Sequence, residues 1–156
     1  MQSDVTVEIE AAAIEFIERT IRASDPRYET GGALFGPSDG SRVLHAAGPG
    51  PKALHGARFF RRDLAHTQEI AEQLYRSDGS HWIGEWHTHV DVPPVPSEAD
   101  LETYVRHVTD PDLQFGRFVA LIVSLSGTVP TLATWSLERR GAHIILVPGG
   151  MQPIVL

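Results

Sequence analysis

The chain has 156 residues, 42% hydrophobic and 21% charged, which fits one domain that buries about 70% of its unfolded surface and needs no disulfide or structural metal to fold. It carries 13 Lys and Arg against 20 Asp and Glu, a formal net charge of −7, which argues against a nucleic-acid backbone as the main partner because that affinity comes from clustered cations. It has no cysteine, so disulfides, thiolate metal sites and cysteine nucleophiles are excluded, and histidine and carboxylate must do any metal binding.

The opening MQSDVTVEIEAAAIEFIERT has acids throughout and lacks the basic and then apolar blocks of an export signal. No segment approaches a membrane-spanning length, so a cytoplasmic protein without a membrane partner is expected. Ile14, Ile17 and Ile21, with Phe16 beside them, recur at helical spacing and predict a helix over about residues 7–23, ended by Asp25-Pro26. YETGGALFG reads as a buried strand bracketed by glycines, and RVLHAAG from Arg42 as a strand paired with it. The Gly- and Pro-rich stretch Gly48 to Ala57 reads as a loop, followed by ARFF as a short strand. Arg58, Arg61 and Arg62 are read as a solvated basic cluster or, failing that, a patch for a protein partner.

From Asp63 the positions Leu64, Thr67, Ile70, Ala71, Leu74 and Tyr75 predict a second helix, closed by the SDGS turn. HWIGEWHTH follows as a strand. Ser97, with Leu101, Tyr104, Val105 and Val108 behind it, is expected to cap a third helix. RFVALIVSL, TLATWSL and AHIILV are three closing strands, and Gly149-Gly150 is read as a turn before a last apolar segment. A mixed α/β (α+β) single domain over residues 1–156, a sheet flanked by helices, follows from this order.

The chemistry sits in GEWHTHVDVPPVPSEAD. Residues two apart on a strand face the same way, so His87 and His89 can present both imidazoles to one ion while Trp86 and Thr88 face away. A third ligand can come from Asp91, giving HxHxD, or from Asp100, reached across a loop that three prolines stiffen. HTHVD overlaps the HxHxDH pattern of metallo-β-lactamase-like hydrolases, but residue 92 is Val where that pattern needs His. Two histidines and one carboxylate leave a tetrahedral zinc one open position, the catalytic arrangement. Glu85 shares a strand face with the histidines if the strand is regular, as a supporting group or a ligand. The other six histidines are read as surface or structural residues, and Trp82, Trp86 and Trp135 as core.

The full string HTH, seven residues, then SEAD resembles the motif of the JAB/MPN (JAMM) metalloproteases. ETGGALFG looks like that family's glutamate segment, and GEWHTH resembles its prokaryotic branch. The resemblance implies a JAB/MPN-like, cytidine-deaminase-like fold with His87, His89 and Asp100 as ligands of one zinc ion. It makes Glu29 the general base and gives Ser97 an oxyanion-stabilising role, beside its reading as a helix cap. Val90 stands where members often carry Pro, which bears on loop stiffness.

The activity implied is that of a zinc isopeptidase or peptidase cutting after the tail of a ubiquitin-like protein or conjugate. Activating and conjugating enzyme-like proteins are the implied companions, in antiphage defence or sulfur-carrier metabolism. Two other readings stay open: a non-catalytic interaction scaffold, and a hydrolase of a small ester or lactam resting on HTHVD. Gly149-Gly150 resembles a diglycine cleavage site, which makes self-processing a further reading.

Overall fold

A six-stranded mixed sheet organises the computed structural model, in which residues 6–156 are described. Residues 1–5, the start of the stretch read for an export signal, lie outside the described residues. In chain order the elements are β1 (Glu8–Ile9), α1 (Ala11–Arg22), β2 (Gly31–Gly36), β3 (Arg42–Val43), β4 (His45–Ala46), β5 (Leu54–His55), β6 (Phe60–Arg61), α2 (Leu64–Asp78), β7 (His81–His89), α3 (Glu98–Thr109), β8 (Arg117–Ser124), β9 (Thr131–Arg140) and β10 (His143–Pro153). The sheet runs β10-β9-β8-β7-β2-β4, with β7 and β8 parallel and the other neighbours antiparallel. Two short pairs stand beside it, β1 with β3 and β5 with β6. No helix among the described residues is long and apolar enough to cross a membrane.

Each face of the sheet is covered by its own helices. Ala13, Ile17 and Ile21 of α1 pack with Leu34, Trp86, Leu121 and Val123 on one face. On the other, Tyr104 and Val108 of α3 meet Phe118, Ala120 and Leu137, while Ile70, Ala71 and Leu74 of α2 meet Ala33 and Phe35. Strand β8 is therefore buried on both sides, which is why its interior FVALIV reads as an unbroken apolar run.

Several expectations need correction. Helix α1 begins at Ala11 because Glu8–Ile9 pair in parallel with Arg42–Val43 and hold the preceding backbone extended. RVLHAAG splits into β3 and β4, and only β4 pairs with β2. The expected loop Gly48 to Ala57 contains β5, whose partner β6 starts at Phe60. Leu64 and Tyr75 of α2 are exposed. Gly149-Gly150 is no turn: it lies inside β10, in the register shift between Pro148 and Met151 opposite β9. An extra residue lets a strand bend while keeping its partner, so β10 continues past it.

Candidate metal centre

Strand β7 carries the two histidines, and a bulge decides what faces them. Leu34 pairs with Gly84 and Phe35 with Trp82, so Ile83 is an extra residue on β7. The shift places Trp82 on the face of Glu85, His87 and His89, while Ile83 joins Trp86 in the core under α1. Close packing of β2 on β7 needs glycine. A Cβ on Gly31 would collide with the carbonyl of Trp86 and the side chain of His87.

Asp100 reaches the histidines from the first turn of α3. Ser97 caps that helix: its Oγ accepts from Asp100 N–H at 3.1 Å, and its N–H donates to Asp100 Oδ2 at 2.9 Å. The reciprocal bonds fix the Asp100 carboxylate before any ligand arrives. The intervening loop is held from three strands: His89 Nδ1 to Pro93 O at 2.8 Å, Ser124 Oγ to Val92 O at 2.7 Å, and Trp135 Nε1 to Pro94 O at 2.9 Å.

His87 Nε2 and His89 Nε2 lie 3.0 Å apart, and Asp100 Oδ2 is 3.3 Å from the first and 3.1 Å from the second. Three donors about 2.05 Å from a tetrahedral zinc would be about 3.3 Å apart, so this triangle fits one face of such a site. These three residues form a group that could hold a metal ion. His89 Nδ1 must carry its proton to bond the Pro93 carbonyl, which leaves Nε2 with a lone pair in the neutral ring. Burial works against charge on Asp100 and His87, but their mutual contact prevails, holding the Asp100 carboxyl far below its ordinary range and raising His87.

Glu29 precedes β2 and is buried. Burial raises its pKa, and His87 and His89 pull against the rise. A carboxylate with a raised pKa beside such a cluster is suited to holding a proton in turnover.

Asp91 stands apart from this group: it is exposed and takes a left-handed backbone at φ 59°, a conformation aspartate tolerates in turns. That removes the support for the HxHxD reading. Glu85 shares the histidine face, but its Oε2 accepts from Arg62 Nη1 at 2.8 Å. Arg62 also lies over the Trp82 ring at 5.0 Å, with its side chain only 13% exposed, so the solvated-cluster reading fails at this residue. The cause is the bulge, which puts Trp82 and Glu85 on one face. His55, read as structural, bonds the Glu29 carbonyl through Nδ1 at 2.9 Å, a contact between distant segments that no local pattern signals.

The model of the family described as prokaryotic homologs of the JAB domain matches residues 13–138. The chain belongs to that family. Among curated relatives it is similar to a Vibrio cholerae protein named CD-NTase/cGAS isopeptidase, 33% identical over 51% of this chain and 54% of that one. A Pseudomonas aeruginosa protein of the same name is 29% identical over 90% of this chain and 82% of its own length. A third, from Escherichia coli, is 29% identical over 51% of this chain and 54% of that protein, so the chain spans about half the length of two of these relatives. In fold it resembles the solution structure of a Desulfitobacterium hafniense protein, with a TM-score of 0.63 at 21% identity, covering 91% of this chain and 88% of the other.

Proposed function

We propose that this JAB-domain protein is a zinc-dependent isopeptidase that cuts after the C-terminal tail of a ubiquitin-like protein joined to another protein. The observation that supports it is the His87–His89–Asp100 triangle of proper size with buried Glu29 beside it. His87, His89 and Asp100 would hold the zinc ion. When bound there, zinc supplies Lewis acidity that polarises a carbonyl and acidifies water.

The chain's own residues do the rest. Glu29 takes the proton of the attacking water and passes it to the departing amine, the work of a general base and then acid. Its burial-raised pKa helps it keep that proton between the two steps. Ser97 fixes Asp100 through the capping box, and its hydroxyl is the candidate donor to oxyanion charge. The two-stranded β5–β6 unit next to Glu29 offers backbone edges along which an extended tail can pair. The names of the relatives point to CD-NTase-type enzymes as the proteins to which the tail is joined.

The test is direct. Purified chain loaded with zinc should release a ubiquitin-like protein from a conjugate with a CD-NTase, and Glu29→Gln should keep its zinc while losing at least about 10²-fold in kcat. Full turnover by Glu29→Gln would assign the base elsewhere; stoichiometric zinc without cleavage of any conjugate or precursor would favour the scaffold reading.

A further inference from the structure

The peptide that carries Glu29 lies where the ladder of β2 ends. The last regular pair of β2 and β7 is Gly31 with His87. Beyond it, the backbone of Glu29 and Thr30 is held from two sides. Glu29 N–H donates to Gly56 O at 2.7 Å, and Glu29 O accepts from His55 Nδ1 at 2.9 Å. Thr30 O accepts from Thr88 N–H at 2.8 Å, and Thr30 N–H donates to Thr88 Oγ1 at 2.9 Å. All four backbone polar groups of this dipeptide are paired.

One of the four bonds depends on a side chain of β7. Thr88 N–H faces Thr30 and makes one bond of a regular antiparallel pair, but the return bond from Thr30 N–H goes to the Thr88 side chain. A threonine hydroxyl therefore takes the place of a strand carbonyl as acceptor for Thr30 N–H. Thr88 is fully buried and sits between His87 and His89, with its side chain on the opposite face of the strand. Its hydroxyl in turn donates to Thr30 O, with Oγ1 at 3.4 Å from that oxygen. One residue thus ties the segment of Glu29 to the segment of both histidines.

We propose that Thr88 is a positioning residue for Glu29, its hydroxyl setting where the carboxylate stands relative to the histidine pair. The inference rests on the reading of Glu29 as the base. Valine has nearly the shape of threonine and keeps the backbone bond from residue 88. It removes only the hydroxyl and leaves the buried Thr30 N–H unpaired, a state that the backbone relieves by shifting or by admitting water. A base works within about 2.6–3.2 Å of its proton, and a misplacement of about 1 Å can cost about 10²-fold in rate.

Thr88→Val, Thr88→Ala and Thr88→Ser in the full chain separate hydroxyl from packing. The measurements are zinc content, steady-state kinetics on a ubiquitin-like conjugate, and amide exchange at Thr30 with and without zinc. Thr88→Val should keep one zinc per chain and a KM within about threefold, while kcat falls about 10- to 100-fold. Thr30 exchange should quicken about tenfold or more in Thr88→Val and Thr88→Ala, with or without zinc. Thr88→Ser should restore both kcat and slow exchange.

Wild-type kcat and exchange in Thr88→Val would overturn the proposal. So would loss of zinc in that variant, which would place the effect on the ligands, or a serine variant as slow as valine, which would place it on the methyl group. A wild type that cleaves nothing would remove Glu29's assigned role and Thr88's with it. Quickened exchange at Thr30 would then still establish the clamp, so the two failures are distinguishable.

Discussion

Replacing Arg62 with Met strands Glu85 in the interior, and the cost can be worked from the geometry. The two side chains are 13% and 17% exposed and meet at 2.8 Å. Unit charges at that separation attract by about 6 kcal/mol at an effective dielectric of about 20, offset by desolvation of several kcal/mol per ion. The intact pair therefore contributes little net stability, but breaking it leaves one buried charge without its partner. Arg62→Met should destabilise the zinc-free protein by about 3–5 kcal/mol at pH 7.5, a large part of a domain's usual 5–15 kcal/mol. Arg62→Met combined with Glu85→Gln should cost far less than the sum of the single changes, a coupling of at least about 2 kcal/mol.

Urea unfolding of the four proteins in the presence of a chelator measures this cycle, and its pH dependence checks the cause. Burial raises the Glu85 carboxyl above its ordinary value, with the Arg62 charge pulling it back. A group whose folded pKa lies above the unfolded one adds stability at low pH and loses it as pH rises through the folded value. The Arg62→Met deficit should thus be largest near pH 8 and narrow toward pH 5. A deficit below about 1 kcal/mol, or additivity of the two changes, would mean that the pair behaves as an exposed one and would refute the reasoning.

Asp100→Ala should abolish stoichiometric zinc binding and Asp91→Ala should leave it intact, as read by metal analysis after gel filtration; the opposite pattern would reverse the ligand assignment. The half-buried His107 ring stacks on Phe118 at 5.2 Å, and burial, with help from Arg62 and Arg106, lowers its pKa to about 4. The unfolded chain therefore binds a proton first, and stability should fall between about pH 6.5 and 4, by about 2 kcal/mol after discounting for partial exposure. His107→Phe should flatten this part of the urea-midpoint profile, and an unchanged slope would assign the loss to other groups.

Periodicity in the chain was enough to place α2, α3, β7 and β8, whereas the start of α1 and the full length of β10 depended on pairing with other segments. HWIGEWHTH is strand β7 residue for residue, and Asp63 and Ser97 are the caps of α2 and α3. These are local signals: side-chain alternation and capping chemistry act within a few residues, so they survive in a one-dimensional reading. The fourteen-residue span from His87 to Asp100 is local in the same sense, a strand, a proline-stiffened loop and a first helical turn. Between Asp91 and Asp100 the motif resemblance already favours Asp100, and the fold supplies the physical reason: convergence of the three side chains depends on where α3 docks against β8 and β9.

What tertiary structure alone decided came from pairings between distant segments. The one-residue bulge at Ile83 puts Trp82 on the face of Glu85 and draws Arg62 inward, against its reading as a solvated cation. Register in a sheet has a period of two, so a single extra residue exchanges the faces, and composition carries no sign of it. The hold on Glu29 by His55, Gly56 and, through Thr30, by Thr88 is of the same kind. The sequence by itself determined which residues can bind metal and move protons; the packing of the sheet determined which of them meet.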